Sequence, residues 1–104
     1  MKSIYALWCS SGWSKTRGLM FRRKIIPLIL VFSTPSYVSL HSWFVWFAFD
    51  VISIDDSWKI IEIKRGMKPW ELYSPKVKVS YVLETPVNFL DARLGERVKI
   101  IRCA

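Results

Sequence analysis

Three ionisable side chains, His41, Asp50 and Asp55, interrupt the long apolar run His41 to Asp55, and a fourth, Glu84, ends the apolar stretch Tyr81-Val82-Leu83. A buried imidazole beside a carboxylate has a perturbed proton affinity, which suits ligand binding or general acid/base chemistry. The competing reading is structural: His41 bonds a backbone carbonyl while Asp50 and Asp55 fix a strand end and a turn. One His with no matched nucleophile favours the structural role, so the chain leans away from enzymes. A metal centre needs three or four converging ligands, and His41, Asp50, Asp55 and Asp56 contain no closely spaced motif with the His. Neither a metal nor a cofactor is therefore expected. There is no Gly-x-Ser-x-Gly elbow for a serine hydrolase, and the four glycines, at 12, 18, 66 and 95, form no phosphate-binding loop.

The elements that would hold these residues read mainly as strands. Ser3 to Cys9 opens the chain, and Ser11 or Ser14 caps a short helix through Arg17 that Gly18 closes. Leu28 to Phe32 is a continuous apolar strand, and Val38 to Trp46 alternates with period two. Phe49 to Ile54 and Trp58 to Lys64 flank the turn triplet Asp55-Asp56-Ser57 and make a hairpin. Tyr81 to Glu84 follows as a strand. Thr85-Pro86 then offers an N-cap and a first-turn proline for a short helix over Pro86 to Leu94 that Gly95 ends. Val98 to Ile101 closes the sheet. The predicted fold is β-rich α+β: an antiparallel sheet curled into a partial barrel, with one or two short helices.

The chain has 104 residues, 52% of them hydrophobic, with six tryptophans, which fits one domain (1–104) with a core of its own. Its net charge of +8 is unevenly spread. No acid precedes Asp50, and Arg17, Arg22, Arg23 and Lys24 form a basic patch that would attract anionic partners. Trp13, Tyr37, Trp70 and Tyr73 stand near basic residues, the combination used by single-strand nucleic-acid binders, although no RNA-binding signature is present.

Ile25 to Phe49 is free of Lys, Arg, Asp and Glu and is long enough to cross a bilayer. Pro27, the Ser33-Thr34-Pro35-Ser36 break, Ser39, His41 and Ser42 divide it, and two buried strands explain it better than a span. With no signal-peptide pattern, a cytoplasmic location is expected. Cys9 and Cys103 lack metal or redox spacing and read as two reduced thiols.

Gly18-Leu19-Met20-Phe21-Arg22, the His41 to Asp55 run, Lys68-Pro69-Trp70, Tyr81-Val82-Leu83-Glu84 and Gly95-Glu96-Arg97-Val98 together resemble the family of domain of unknown function 192, in an archaeal-type form. The resemblance runs from about residue 4 to 100. It departs at Ala48, where the family usually has proline, at Val45, usually methionine, and at Trp46, usually polar. The resemblance implies a fold and a motif set, not an activity. The reading is a small soluble binding or interaction module with a cleft lined by Met20, Arg22, His41, Asp50 and Glu84, taking a small ligand or a protein. A basic nucleic-acid-binding barrel and a hydrolase-like enzyme using His41 with Asp50 are the alternatives.

Overall fold

A computed structural model of the chain describes residues 2–10 and 26–103. Eight strands are found among them: β1 (Lys2–Cys9), β2 (Leu28–Ser36), β3 (Leu40–His41), β4 (Phe49–Ile54), β5 (Ile60–Met67), β6 (Leu72–Tyr73), β7 (Val79–Pro86) and β8 (Val98–Cys103). Six form one sheet in the order β5-β4-β7-β2-β1-β8, and β3 pairs with β6 in a separate ribbon. The sheet is mixed rather than antiparallel throughout, because β1 runs parallel to both β2 and β8. Parallel neighbours need a long crossover, and the residues between Cys9 and Leu28 are numerous enough to supply one.

The sheet curls until its two outer strands meet. Lys59 and Arg97 form an antiparallel bridge. Around it, Ile60 N–H donates to the Glu96 carbonyl (2.8 Å), Gly95 N–H to Ile60 (2.8 Å) and Val98 N–H to Trp58 (2.9 Å). The result is a mainly β half-barrel whose outer strands satisfy part of each other's edge. Alternation gives each strand two faces. One face is shared by all six strands and buries Ile4, Ile29, Ile52, Ile60, Leu83 and Val98. The opposite face buries Leu28, Leu30, Phe49, Val51, Met67 and Val82, and Leu40 of β3 and Tyr73 of β6 pack against it.

Two expected elements are replaced. Val38 to Trp46 is strand only at Leu40–His41. Phe44 takes φ 61°, which ends extended structure, and the Ser42 hydroxyl is engaged by another loop. Pro86 to Leu94 is not a helix: β7 continues through Pro86, and turns follow. The Thr85 hydroxyl donates to the Pro86 carbonyl (3.1 Å) and so does not cap a helix, while Asn88 takes φ 60°. The other expected helix, through Arg17, lies outside the described residues. Among the described residues there is no helix long and apolar enough to cross a membrane, and from Leu28 onward the uncharged run folds as β2, β3 and their connections.

Candidate functional site

Asp50 is fully buried in β4, and both oxygens of its carboxylate accept from local partners. Its Oδ1 accepts from Gly66 N–H (2.8 Å), and its Oδ2 accepts from Arg65 Nη1 (2.7 Å) and Asn88 N–H (2.9 Å). The β4–β5 register shows why the partners converge. Phe49 pairs with Met67 and Val51 with Lys64, so Arg65 and Gly66 together oppose Asp50 in a bulge. Gly66 sits at φ 62°, where a residue with Cβ is strained. Arg65 continues outward to the carbonyls of Leu90 (3.1 Å) and Ala92 (3.4 Å). Asp50 thus ties the bulge to the loop after β7.

Glu84 behaves differently. It lies one strand away on β7, paired with Val51 and Leu28, and so faces the opposite side of the sheet from Asp50, whose partner is Thr85. Burial among apolar neighbours pushes its carboxyl up to about 7, because a charge is poorly solvated there. His41 belongs to the separate β3–β6 ribbon, half-buried, with its ring 4.7 Å from that of Trp43 and its Nδ1 accepting from Trp43 N–H (3.4 Å). Asp50 accepts nothing from it. The structure therefore separates the expected trio: Asp50 faces one side of the sheet, Glu84 the other, and His41 sits on the ribbon packed over the second side. Met20, Arg22 and the patch Arg17, Arg22, Arg23 and Lys24 lie outside the described residues. Asp55 is a turn residue whose Oδ1 accepts from Ser57 N–H and Lys59 N–H, both at 2.9 Å. Among the described residues no three His, Cys, Asp or Glu side chains converge.

Aromatic side chains form two groups, one exposed and one half-buried, of which the sequence offers only Trp70 and Tyr73 as candidates. The first surrounds the ribbon. Trp43, Phe44, Trp46, Trp70 and Leu72 are all exposed, and Phe44 meets Trp70 edge to face at 5.0 Å. Buried Ser42 holds the two loops together. Its hydroxyl donates to the Lys68 carbonyl and accepts from Glu71 N–H (2.8 Å), and its carbonyl accepts from Trp70 N–H (3.1 Å). Tyr73 secures the ribbon to β5 by donating to Glu62; burial first, and this neighbouring carboxylate second, hold its phenol protonated well above the ordinary range. The second group lies where β5 meets β8. There Trp58 stacks on Tyr81 at 3.7 Å, with Trp8 6.3 Å from Trp58 and Arg102 over the Trp8 ring at 5.4 Å.

Phe44, Trp58 and Trp70 all hold positive φ, between 61° and 63°. That region is costly for bulky residues, by about 1–3 kcal/mol each. Positive φ at three aromatics, Phe44 and Trp70 exposed and Trp58 half-buried, is the signal that links both groups, and it is visible only in the backbone.

The model of the DUF192 family, described as an uncharacterised ACR, matches residues 2–100. The chain belongs to the DUF192 family. This DUF192 chain is 34% identical to a UPF0127 protein of Thermococcus sibiricus over 83% of its own length and 59% of that protein's. It is 30% identical to a UPF0127 protein of Pyrococcus horikoshii over 79% of its length and 75% of that protein's. The chain thus spans under two thirds of the Thermococcus relative. Its fold matches a crystal structure of a candidate transcription regulator from Sinorhizobium meliloti (TM-score 0.80, 20% identity, 86% of this chain and 76% of that one). It also matches a protein of unknown function from Novosphingobium aromaticivorans (TM-score 0.78, 17% identity, 91% and 71%). At these identities the structures share the half-barrel, and DUF192 remains a family of unknown function.

Proposed function

We propose that this DUF192 chain is a one-domain, cytoplasmic interaction module that binds a partner protein through the aromatic loops around the β3–β6 ribbon, and is not a hydrolase. The observation that carries this reading is the exposed Phe44 and Trp70 pair, held at φ 61° and 62° by the Ser42 bonds. Strained aromatic anchors on a rigid frame are what a protein interface uses for its dominant contacts. His41 and Glu84 belong to this side of the sheet, and the expected cleft narrows to them, with Met20 and Arg22 as further proposed members. Asp50 leaves the ligand set because it is fully buried and both its oxygens are engaged by local donors.

The test uses the paired variant Phe44→Gly with Trp70→Gly, because glycine adopts positive φ without strain and preserves the loop path. Proteins captured by the wild type but not by the variant are purified and titrated. At least a tenfold loss of affinity in the variant, at an unchanged melting temperature, is expected. Equal binding by both proteins refutes the surface. A parallel thermal-shift screen of wild type and His41→Ala against metals, nucleotides, metabolites and oligonucleotides at two salt concentrations tests the alternatives. A salt-insensitive shift lost with His41 supports a small-ligand site there, and a strongly salt-sensitive oligonucleotide shift supports nucleic-acid binding.

A further inference from the structure

The outer edge of β8 is open beyond the point where the half-barrel closes. Two bonds fix which way its backbone points: Lys2 N–H of β1 donates to the Arg97 carbonyl (3.3 Å), and Val98 N–H donates to the Trp58 carbonyl (2.9 Å). Alternation then turns the backbone groups of Lys99 and Ile101 toward β1, and those of Ile100 and Arg102 away from it. The antiparallel ladder begun at Lys59 and Arg97 stops at Val98, because Trp58, at φ 63°, gives its N–H to the Asp55 carbonyl (3.1 Å) inside its own turn. In the sheet β8 has only β1 beside it. Among the described residues, the N–H and carbonyl of Ile100 and the N–H of Arg102 therefore face a side that no strand occupies. Such a row of backbone donors and acceptors is a template for one more strand.

The two faces of this edge differ in chemistry. Val98 and Ile100 belong to the apolar face against which Trp8 and Trp58 also pack, and an open groove of about 590 Å³ has these four residues in its lining. Trp58 stacks on Tyr81 at 3.7 Å, which fixes the plane of its ring. Arg97 and Lys99 alternate with Val98 and Ile100 and so stand on the opposite face, where Lys59 lies directly across from Arg97 in the bridge. All three cations are exposed, and among the described residues none of them has a salt bridge. Like charges directly opposite each other destabilise a strand pair, so the closure carries an uncompensated basic stripe on one face and an indole-lined groove on the other.

We propose that the open edge of β8 takes an added strand from an acidic partner protein: an extended segment, antiparallel to β8, whose acidic residues face Arg97 and Lys99 while the large apolar residues between them enter the groove. The residue opposite Ile100 exchanges both backbone bonds with it and points its side chain toward Trp8 and Trp58. Its neighbour opposite Lys99 points to the basic face, where an opposite charge stabilises the pair. A second copy of this chain is a poor occupant, because two paired β8 edges bring Lys99 and Arg102 close to their copies on chains of net charge +8. The edge is independent of the aromatic loops proposed above as a protein interface.

The experiment titrates the full chain into the fluorescein-labelled peptide Glu-Val-Glu-Phe-Glu, read by anisotropy at about 150 mM salt, where long-range attraction between exposed charges is screened. In the proposed register Phe lies opposite Ile100 and the last Glu opposite Lys99, and binding should saturate at one site. The rearranged peptide Glu-Glu-Glu-Val-Phe should bind more weakly by about tenfold or more, and so should the parent peptide methylated on the Phe nitrogen, which loses its bond to Ile100. Methylation on the last Glu nitrogen, which points away from β8, should change affinity by no more than about twofold. The double variant Arg97→Glu with Lys99→Glu, at exposed positions, should weaken the parent peptide by about tenfold and make Lys-Val-Lys-Phe-Lys the tighter ligand. Phe44→Gly with Trp70→Gly should bind the peptide like wild type, which separates this edge from the aromatic loops. The proposal is overturned if the parent peptide does not saturate by about 1 mM. It is equally overturned if the rearranged or Phe-methylated peptide binds like the parent, as a diffuse basic surface would allow. Tighter binding of a thymidine octamer than of any peptide, with a steep salt dependence, also overturns it, since the stripe would then serve a phosphate backbone.

Discussion

Glu84 and Asp50 are two buried carboxylates on neighbouring strands, and their surroundings give them opposite roles. Asp50 has three donors within 2.9 Å, one of them a guanidinium, so its charge is compensated. Asp50→Ala leaves the Arg65 guanidinium and two backbone N–H groups without their acceptor, and should cost about 3–5 kcal/mol of folding stability in urea titration. If Asp50→Ala melts like wild type, the carboxylate is not the tie described here. Glu84 has its carboxyl pushed up to about 7 from an ordinary 4.5 by burial. Between those two values the folded protein binds more protons than the unfolded chain, so stability falls as pH rises through the window. The contribution is fully present below about pH 4.5 and exhausted above about pH 7. It amounts to on the order of 3 kcal/mol. Glu84→Gln cannot ionise, so it should flatten this part of the pH profile and be more stable than wild type at pH 7.5, with little difference at pH 4.5. Parallel profiles for the two proteins would show that Glu84 does not titrate in this range.

At the scale of elements, local signals succeeded where one stretch of sequence contained its own determinants. The hairpin of β4 and β5 was legible because two apolar strands flank Asp55-Asp56-Ser57, and the Asp55 side chain closes that turn by bonding Ser57 and Lys59. They failed where the determinant lay far along the chain. Thr85-Pro86 carries a helix-start signal, but Asp50, from a different strand, takes the Asn88 N–H, and the segment becomes a loop. Val38 to Trp46 has the period of a strand, yet Ser42 is bonded to Lys68 and Glu71 of a later loop. The site suffered in the same way: Asp50 and Glu84 were expected to line one cleft, but their facing opposite sides follows only from register. Ser42 offers a direct test of such long-range control. Ser42→Ala removes bonds to both Lys68 and Glu71 and should cost about 2 kcal/mol. Hydrogen exchange should rise selectively at Trp70 and Glu71, whose N–H groups bond Ser42, and leave β4 and β7 protected; uniform loosening would mean that the ribbon and the sheet unfold as one unit.

For the whole molecule the decisive feature is that the central order β5-β4-β7-β2 is antiparallel while β1 enters parallel between β2 and β8. Lys2 pairs with Val98, so this contact closes nearly the full length of the chain. Loop closure must be completed before such pairs contribute, and proteins rich in non-local pairing fold in about milliseconds to seconds. The hairpin of β4 and β5 closes over a turn of a few residues and costs far less entropy, so it can form early with β7 docking beside it. Ile52 of β4 and Ile4 of β1 are both buried in the same face, which makes them a matched pair of probes. Replacing either with valine removes one methylene and should destabilise by about 1 kcal/mol. Ile52→Val should act mainly by slowing folding in stopped-flow experiments, whereas Ile4→Val should act mainly by speeding unfolding, because its contacts form after the barrier. If Ile4→Val slows folding as much as Ile52→Val, the β1–β8 pairing belongs to the nucleus, and closure of the half-barrel is the first organised event rather than the last.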